Sequence, residues 1–209
     1  MWVEVMEEEW LYSQEEVRAL LDWVREHEVS EPAIYPFMWA MGELALRQGE
    51  AQRLRVGDAF LPAHGHGNLA VRHKGRTRTV PLRPRAVEFL EEWIRESGAE
   101  EGDLLFSDGR GRALSGPVCQ QAWEQAQKAV LERDERYTWR LGEPIDILRE
   151  SRLVRWLQSG VSCFAVAEVA DVTASWLAMR YPHCFRMGDS AIDWGYLGRG
   201  DGVAASVRS

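Results

Sequence analysis

The sequence is nearly without lysine. Of its 25 Lys and Arg residues, only Lys74 and Lys128 are lysine. Lysine can give up its proton at accessible pH, and arginine in effect cannot. A lysine kept in so arginine-rich a chain either marks a need for that chemistry or stands there by chance. Cysteine is scarce too. Cys119, Cys163 and Cys184 form no C-x-x-C pair, which excludes a disulfide framework and a cysteine-based zinc site. Among the five histidines, His64, His66 and His73 lie close in sequence. No Cys or carboxylate completes a ligand set with them, so no metal is expected. No apolar run is long enough to cross a bilayer; the longest, Ala33–Gly42, falls short of the ~20 residues required. Met1–Trp10 is acidic where a secretory leader is basic. The expectation is a cytoplasmic chain with no membrane contact. Internal repeats and low-complexity blocks are also absent.

What is present suits one large domain or two small ones. The chain has 209 residues, 45% of them hydrophobic, enough for a substantial core. The formal net charge of −8 speaks against a nucleic-acid binder, since phosphate contacts need cations. The distribution answers much of that objection. Residues 1–31 are acidic, with Arg18 and Arg25 as their only cations. Residues 51–90 carry seven Arg and one Lys against Asp58 and Glu88. A basic middle behind an acidic lead is a polarised protein.

Ser13-Gln14-Glu15-Glu16 has the form of a capping box. Val17, Leu20, Leu21 and Val24 follow at helical spacing, which predicts a helix over 14–27. A second helix, over 32–46, is apolar on most faces and therefore central. From 60 to 82 the pattern turns to alternation. Leu69-Ala70-Val71 and Thr77-Arg78-Thr79-Val80-Pro81-Leu82 read as two strands joined by a turn at Lys74-Gly75-Arg76, with a third strand near 59–62. Further helices are predicted over 85–97, 115–133, 146–159, 164–170 and 175–181, with a short extended piece at 104–106 and a polar, irregular stretch at 133–144. The tail from Gly188, rich in Gly, Ala and Ser, is expected to be loose. The fold class is mainly α with a small antiparallel β-sheet (α+β). The division expected is an acidic lead over 1–11, one folded domain over 12–187 and a tail over 188–209.

Four features stand out in order: Arg47 with Glu50, Lys74 in the turn, Arg149 early in a helix, and Tyr181 at the end of another. Singly, each has an ordinary reading as a cation near a helix end, a solvated turn residue, a surface ion-pair partner and a packed aromatic. With their neighbours they resemble a family. Leu46-Arg47-Gln48-Gly49-Glu50 followed by Leu54-Arg55-Val56-Gly57-Asp58 is similar to the first arginine box of the tyrosine recombinases (phage-type integrases). Lys74-Gly75-Arg76-Thr77-Arg78-Thr79-Val80-Pro81-Leu82 resembles their lysine hairpin, one residue shorter. Leu104-Leu105-Phe106 through Ala113-Leu114-Ser115 is similar to the family's connection into the next helix. Asp146-Ile147-Leu148-Arg149 stands where the family has H-x-L-R, and Arg180-Tyr181-Pro182-His183 resembles the terminal Y-x-H. Order and spacing agree from about Tyr12 to His183.

The resemblance implies a tyrosine recombinase catalytic domain acting on double-stranded DNA, alone, as a homo-oligomer on the DNA or beside a partner recombinase. It implies Tyr181 as nucleophile, Arg47 and Arg149 on the scissile phosphate, Lys74 as general acid, and Asp146, Asp171 and His183 as auxiliaries. Glu50 would support Arg47, and Arg72, Arg76 and Arg78 would meet DNA. The chemistry suits these residue types. Two arginines can hold the non-bridging oxygens of a phosphodiester as charge builds on them. A tyrosine oxygen can store the bond as a 3′-phosphotyrosine, so no cofactor is needed. A lysine beside arginines has a lowered pKa, which suits it to protonate the 5′-oxygen. Two positions depart from the pattern. Asp146 stands in place of His or Lys. Asp171 stands near the place of a His or Trp that follows L-G, one residue further from Tyr181. Asp146 either takes the tyrosine proton or marks a degenerate site that only binds DNA, as regulator or partner of a full-length recombinase. An acidic protein-interaction domain is the third reading. The family also places a DNA-clamping domain ahead of this one. About a dozen residues precede it here, so weak, salt-sensitive binding is expected.

Overall fold

The protein is described here from a computed structural model, which covers residues 3–27, 31–131 and 139–185. The predicted tail from 188, and residues 133–138 of the irregular stretch, lie outside the described residues. Eight α-helices are described: α1 (Gln14–Glu26), α2 (Ile34–Leu44), α3 (Gln48–Ala51), α4 (Pro84–Ser97), α5 (Gly116–Leu131), α6 (Ile147–Gln158), α7 (Cys163–Ala170) and α8 (Ala174–Arg180). Three strands, β1 (Ala59–Phe60), β2 (Gly67–His73) and β3 (Arg76–Leu82), form one antiparallel sheet in the order β1-β2-β3. The predicted α+β class therefore holds, and the predicted helices appear within a few residues of their expected ends. The short α3 is an addition; its four residues are too few to show a period.

Helix α1 begins as its sequence dictates. The Ser13 backbone N–H donates to Glu16 at 2.7 Å, and the Glu16 N–H donates to Ser13 Oγ at 3.2 Å, satisfying donors that the first turn leaves unpaired. Its buried stripe is Val17, Leu20, Leu21 and Val24. Helix α2 buries Phe37, Met38, Ala40 and Met41 completely; each large side chain there contributes about 1.5–3 kcal/mol relative to exposure. It packs against α6, with Gly42 next to Leu148. Helix α2 ends at Ala45, a non-glycine residue in the left-handed region (φ 53°). That conformation costs roughly 1–2 kcal/mol.

The sheet follows its alternation. Leu69 pairs with Val80 and Gly67 with Leu82, and all four are buried. Arg78 lies two residues before Val80 and so shares its inward face. The β2–β3 link is a two-residue turn, Lys74-Gly75, with φ of 47° and 78°. Positive φ at both positions matches the twist of the flanking strands. Gly67 has a separate reason to be glycine: a Cβ there would strike the Phe60 carbonyl and Val87.

The start of the described chain is not detached from the domain. Leu11 and Tyr12 are core residues. The Tyr12 N–H donates to Ser151 Oγ on α6 at 2.9 Å, and Gln127 Nε2 donates to the Tyr12 hydroxyl at 3.1 Å. The Arg140 guanidinium lies over the Tyr12 ring, 4.7 Å from its centroid, and is ion-paired with Glu16. Nearer the start, the Met6 N–H donates to the Arg180 carbonyl at 2.8 Å. The acidic lead expected over 1–11 is thus, from Met6 onward, fastened to the helices. Trp123 is fully buried, and Trp23, Trp39, Trp93, Trp156 and Trp176 pack against the core.

Candidate active site

Arg47 is the N-cap residue of α3. Its backbone N–H donates to Glu50 Oε2 at 2.8 Å, and its Nη1 donates to Glu50 Oε1 at 2.7 Å. Glu50 also receives a two-pronged contact from Arg78, at 2.5 and 3.0 Å. Four donors thus converge on one buried carboxylate. Burial alone would raise its pKa; the Arg78 hydrogen bonds, the Arg47 N–H and both positive charges outweigh that and bring it down to about 2. Arg78 Nε donates to the Val169 carbonyl at 2.6 Å, pinning β3 to α7.

Arg78, expected to meet DNA, is engaged within the protein here. Its side chain is only 10% exposed and serves to hold Glu50, and through it Arg47. Parity with the buried Val80 and Leu82 is a partial sequence signal for this, since Arg76 shares that parity and is exposed at the hairpin end. Arg72 is exposed on the other face, paired with Asp58.

Arg47 and Arg149 meet at one atom. Arg47 Nη2 donates to the Ala170 carbonyl at 3.1 Å, and Arg149 Nη2 donates to the same oxygen at 2.8 Å. Arg149, nearly buried in α6, also donates from Nε to the Ala45 carbonyl at 3.0 Å, which is where the left-handed turn after α2 gains its use. Arg149 Nη1 has no protein partner among the described residues. Burial, then the charge of Arg47, lower the Arg149 pKa, while Glu150, Tyr181 and Glu50 pull it back. These groups therefore share one electrostatic neighbourhood.

Asp171 closes the third side. It ends α7 in the left-handed region (φ 52°), a cap that glycine usually takes. Its carbonyl accepts from Arg47 Nη2 at 2.9 Å, and its carboxylate lies 3.4 Å from Arg47 Nη1.

Tyr181 follows α8 and is fully buried. Its hydroxyl donates to Glu150 Oε2 at 2.6 Å, and Trp176 meets its ring edge-on at 5.9 Å. Burial, then the Glu150 carboxylate, push its pKa far above that of a free phenol, with Arg149 and Arg180 opposing. Sequence reading missed Glu150. The sequence alone points to Asp146 for the tyrosine proton, but the phenol meets the carboxylate one helical turn later. Asp146 is solvent-exposed at the start of α6. Enough protein surrounds its carboxyl to raise its pKa nonetheless, against the pull of Arg149. His183 lies beside Tyr181, ring centroids 6.4 Å apart. Lys74 is not part of the cluster: it is exposed at the tip of the β2–β3 turn. No cluster of three or more His, Cys, Asp or Glu that could hold a metal occurs among the described residues.

Comparison with known proteins finds both a family and similar folds. A model of the phage integrase family matches residues 10–184. The XerH site-specific recombinase, in a post-cleavage complex with palindromic difH substrate, superposes with a TM-score of 0.66 at 22% identity, covering 81% of this chain and 48% of that one. The Tn1549 transposon integrase, in complex with transposon right end DNA, gives 0.68 at 11% identity, covering 93% and 66%. The catalytic domain of bacteriophage HP1 integrase gives 0.60 at 15% identity, covering 98% and 100%. The chain thus spans about half the length of the XerH chain. No curated protein sequence matches it.

Proposed function

The chain belongs to the phage integrase family, and on that premise we propose that it is a site-specific recombinase that cleaves and rejoins duplex DNA through a 3′-phosphotyrosine. The observation that carries this reading is the meeting of Arg47 and Arg149 on the Ala170 carbonyl, with Tyr181 held by the residue after Arg149. Two guanidiniums aimed at one oxygen form a ready site for a phosphate oxygen, fixed before substrate arrives. Arg149 Nη1 is available to an anion. Glu50, kept ionised by its partners, fixes Arg47.

In the proposed reaction Tyr181 attacks phosphorus, Arg47 and Arg149 stabilise the charge on the non-bridging oxygens, and Lys74 protonates the departing 5′-oxygen. Lys74 must come in with the hairpin, and DNA contacts from Arg72 and Arg76 would draw it there. The protein covering Tyr181 must open, because a buried phenol cannot meet a duplex, while its hydroxyl keeps its contact with Glu150. Asp146, Asp171 and His183 are auxiliary. No cofactor is required. The partner is double-stranded DNA, bound by several copies or together with a second recombinase. Among the described residues no helix is long and apolar enough to cross a membrane.

A second reading has its own support. The Asp171 carboxylate lies 3.4 Å from Arg47, where it competes with phosphate for the guanidinium, and this suits a DNA-binding relative that does not cleave. A pool of duplexes of randomised sequence, each nicked on one strand, separates the two. Covalent protein–DNA adducts that vanish in Tyr181→Phe support the recombinase. Salt-sensitive binding with no adduct supports the non-cleaving relative.

A further inference from the structure

We propose that Glu150 is a catalytic residue that orients the Tyr181 phenol and accepts its proton as the oxygen attacks phosphorus; this rests on the recombinase reading above. Among the described residues, Glu150 is the one hydrogen-bond partner of the Tyr181 hydroxyl, at 2.6 Å. The phenol lies in a buried, anion-flanked position that opposes its ionisation before the reaction. Its proton must therefore leave while the new bond forms, and the receiving group must already be in contact. Glu150 meets that condition. Asp146, one turn earlier, is exposed and makes no hydrogen bond to the phenol. The Asp171 carboxylate faces Arg47.

Glu150 is held in place from more than one side. Its Oε2 also accepts from Arg180 Nε at 3.1 Å. Arg180 is itself fastened to the start of the described chain: its carbonyl accepts from the Met6 N–H at 2.8 Å, and its Nη1 donates to the Glu4 carbonyl at 2.6 Å. A carboxylate fixed by an adjoining cation keeps its lone pair aimed at the phenol. Its place beside Arg149 on α6 ties the phosphate-binding and proton-accepting groups to one rigid element.

The step balances. The phenolic O–H bond breaks and its proton passes to Glu150 Oε2. The Tyr181 O–P bond forms as the P–O5′ bond breaks, and the 5′-oxygen leaves with a proton from Lys74. On rejoining, the 5′-hydroxyl attacks phosphorus and returns its proton to Lys74, while the tyrosine oxygen departs with the proton held on Glu150.

The test is the single-turnover rate of covalent adduct formation on the nicked, randomised duplex pool. Parent protein, Glu150→Gln and Glu150→Asp are compared, with DNA retention and thermal unfolding measured for each. Glutamine can still accept the phenol's hydrogen bond but takes no proton. A loss on the order of 100-fold is expected in Glu150→Gln, with DNA retention unchanged and part of the rate restored in Glu150→Asp. If Glu150→Gln forms adduct at the parent rate or faster, the contact merely stores the phenol and the proposal is overturned. If the two variants lose rate equally and both also lose retention or folding, Glu150 is structural and the proposal is again overturned. If the parent itself forms no adduct, the recombinase reading falls first and takes this one with it.

Discussion

The arginine half of the site and its lysine are built in opposite ways. Arg47, Arg78 and Arg149 are largely or wholly enclosed, and each donates to backbone carbonyls contributed by α7 or by the turn after α2. Lys74 stands exposed on a two-residue turn in a left-handed conformation, where Asn, Asp or Gly would sit more easily. The contrast fits what each group would do in the proposed reaction. Charge stabilisation works best from donors already fixed, because reorganising them during the reaction costs part of the benefit. A proton donor has only to arrive. Breaking a local preference to keep a lysine there is the kind of conflict that marks functional positions.

If the arginine half is a structural unit as well as a chemical one, disturbing it must cost stability, whereas disturbing the lysine must not. The largest effect is expected from Glu50→Ala, which strands Arg47 and Arg78; denaturant unfolding should show a loss of about 3–5 kcal/mol. Acid should reach the same point. The Glu50 carboxyl lies near 2 in the folded protein and 4.5 by default, so its contribution is fully present above about pH 4.5 and is lost as pH falls toward 2. The amount is on the order of 3 kcal/mol, read as a stability-against-pH curve that flattens in Glu50→Gln. Tyr12 sharpens the comparison from outside the site. Its hydroxyl is buried, with the pKa pushed up to about 12 mainly by burial. Tyr12→Phe should cost about 1 kcal/mol. Its contribution in the parent should be lost as pH rises from about 10 toward 12. The smallest change belongs to the lysine. Lys74→Asn should raise stability by ~0.5 kcal/mol through relief of the turn, while slowing adduct formation. A loss of stability there would mean that the turn is held by the fold after all.

Much of this was legible in the sequence, and the remainder was hidden for physical reasons. The capping box at Ser13, the stripe of α1 and the alternation of β2 and β3 are local signals, and all three appear in the fold. Arg47, Arg149 and Tyr181 could be singled out by neighbouring residues. Their meeting at Ala170 could not, because a backbone carbonyl carries no sequence signature. Arg78 is only partly legible, because it shares strand parity with the buried Val80 but also with the exposed Arg76 in the same basic hairpin. Glu150 needed the fold itself: 31 residues separate it from Tyr181, and only the packing of α6 under the end of α8 brings them together. Asp146, the carboxylate that the sequence alone points to, lies next to α6 but one turn too early.

The account rests on Tyr181 becoming covalently joined to DNA beside Arg47 and Arg149. The direct measurement is mass-spectrometric mapping of the adduct recovered from the nicked duplex pool after nuclease digestion. The account predicts a nucleotide joined through its 3′-phosphate to the peptide containing Tyr181, and to no other peptide. Attachment at another residue, or through a 5′-phosphate, would contradict it.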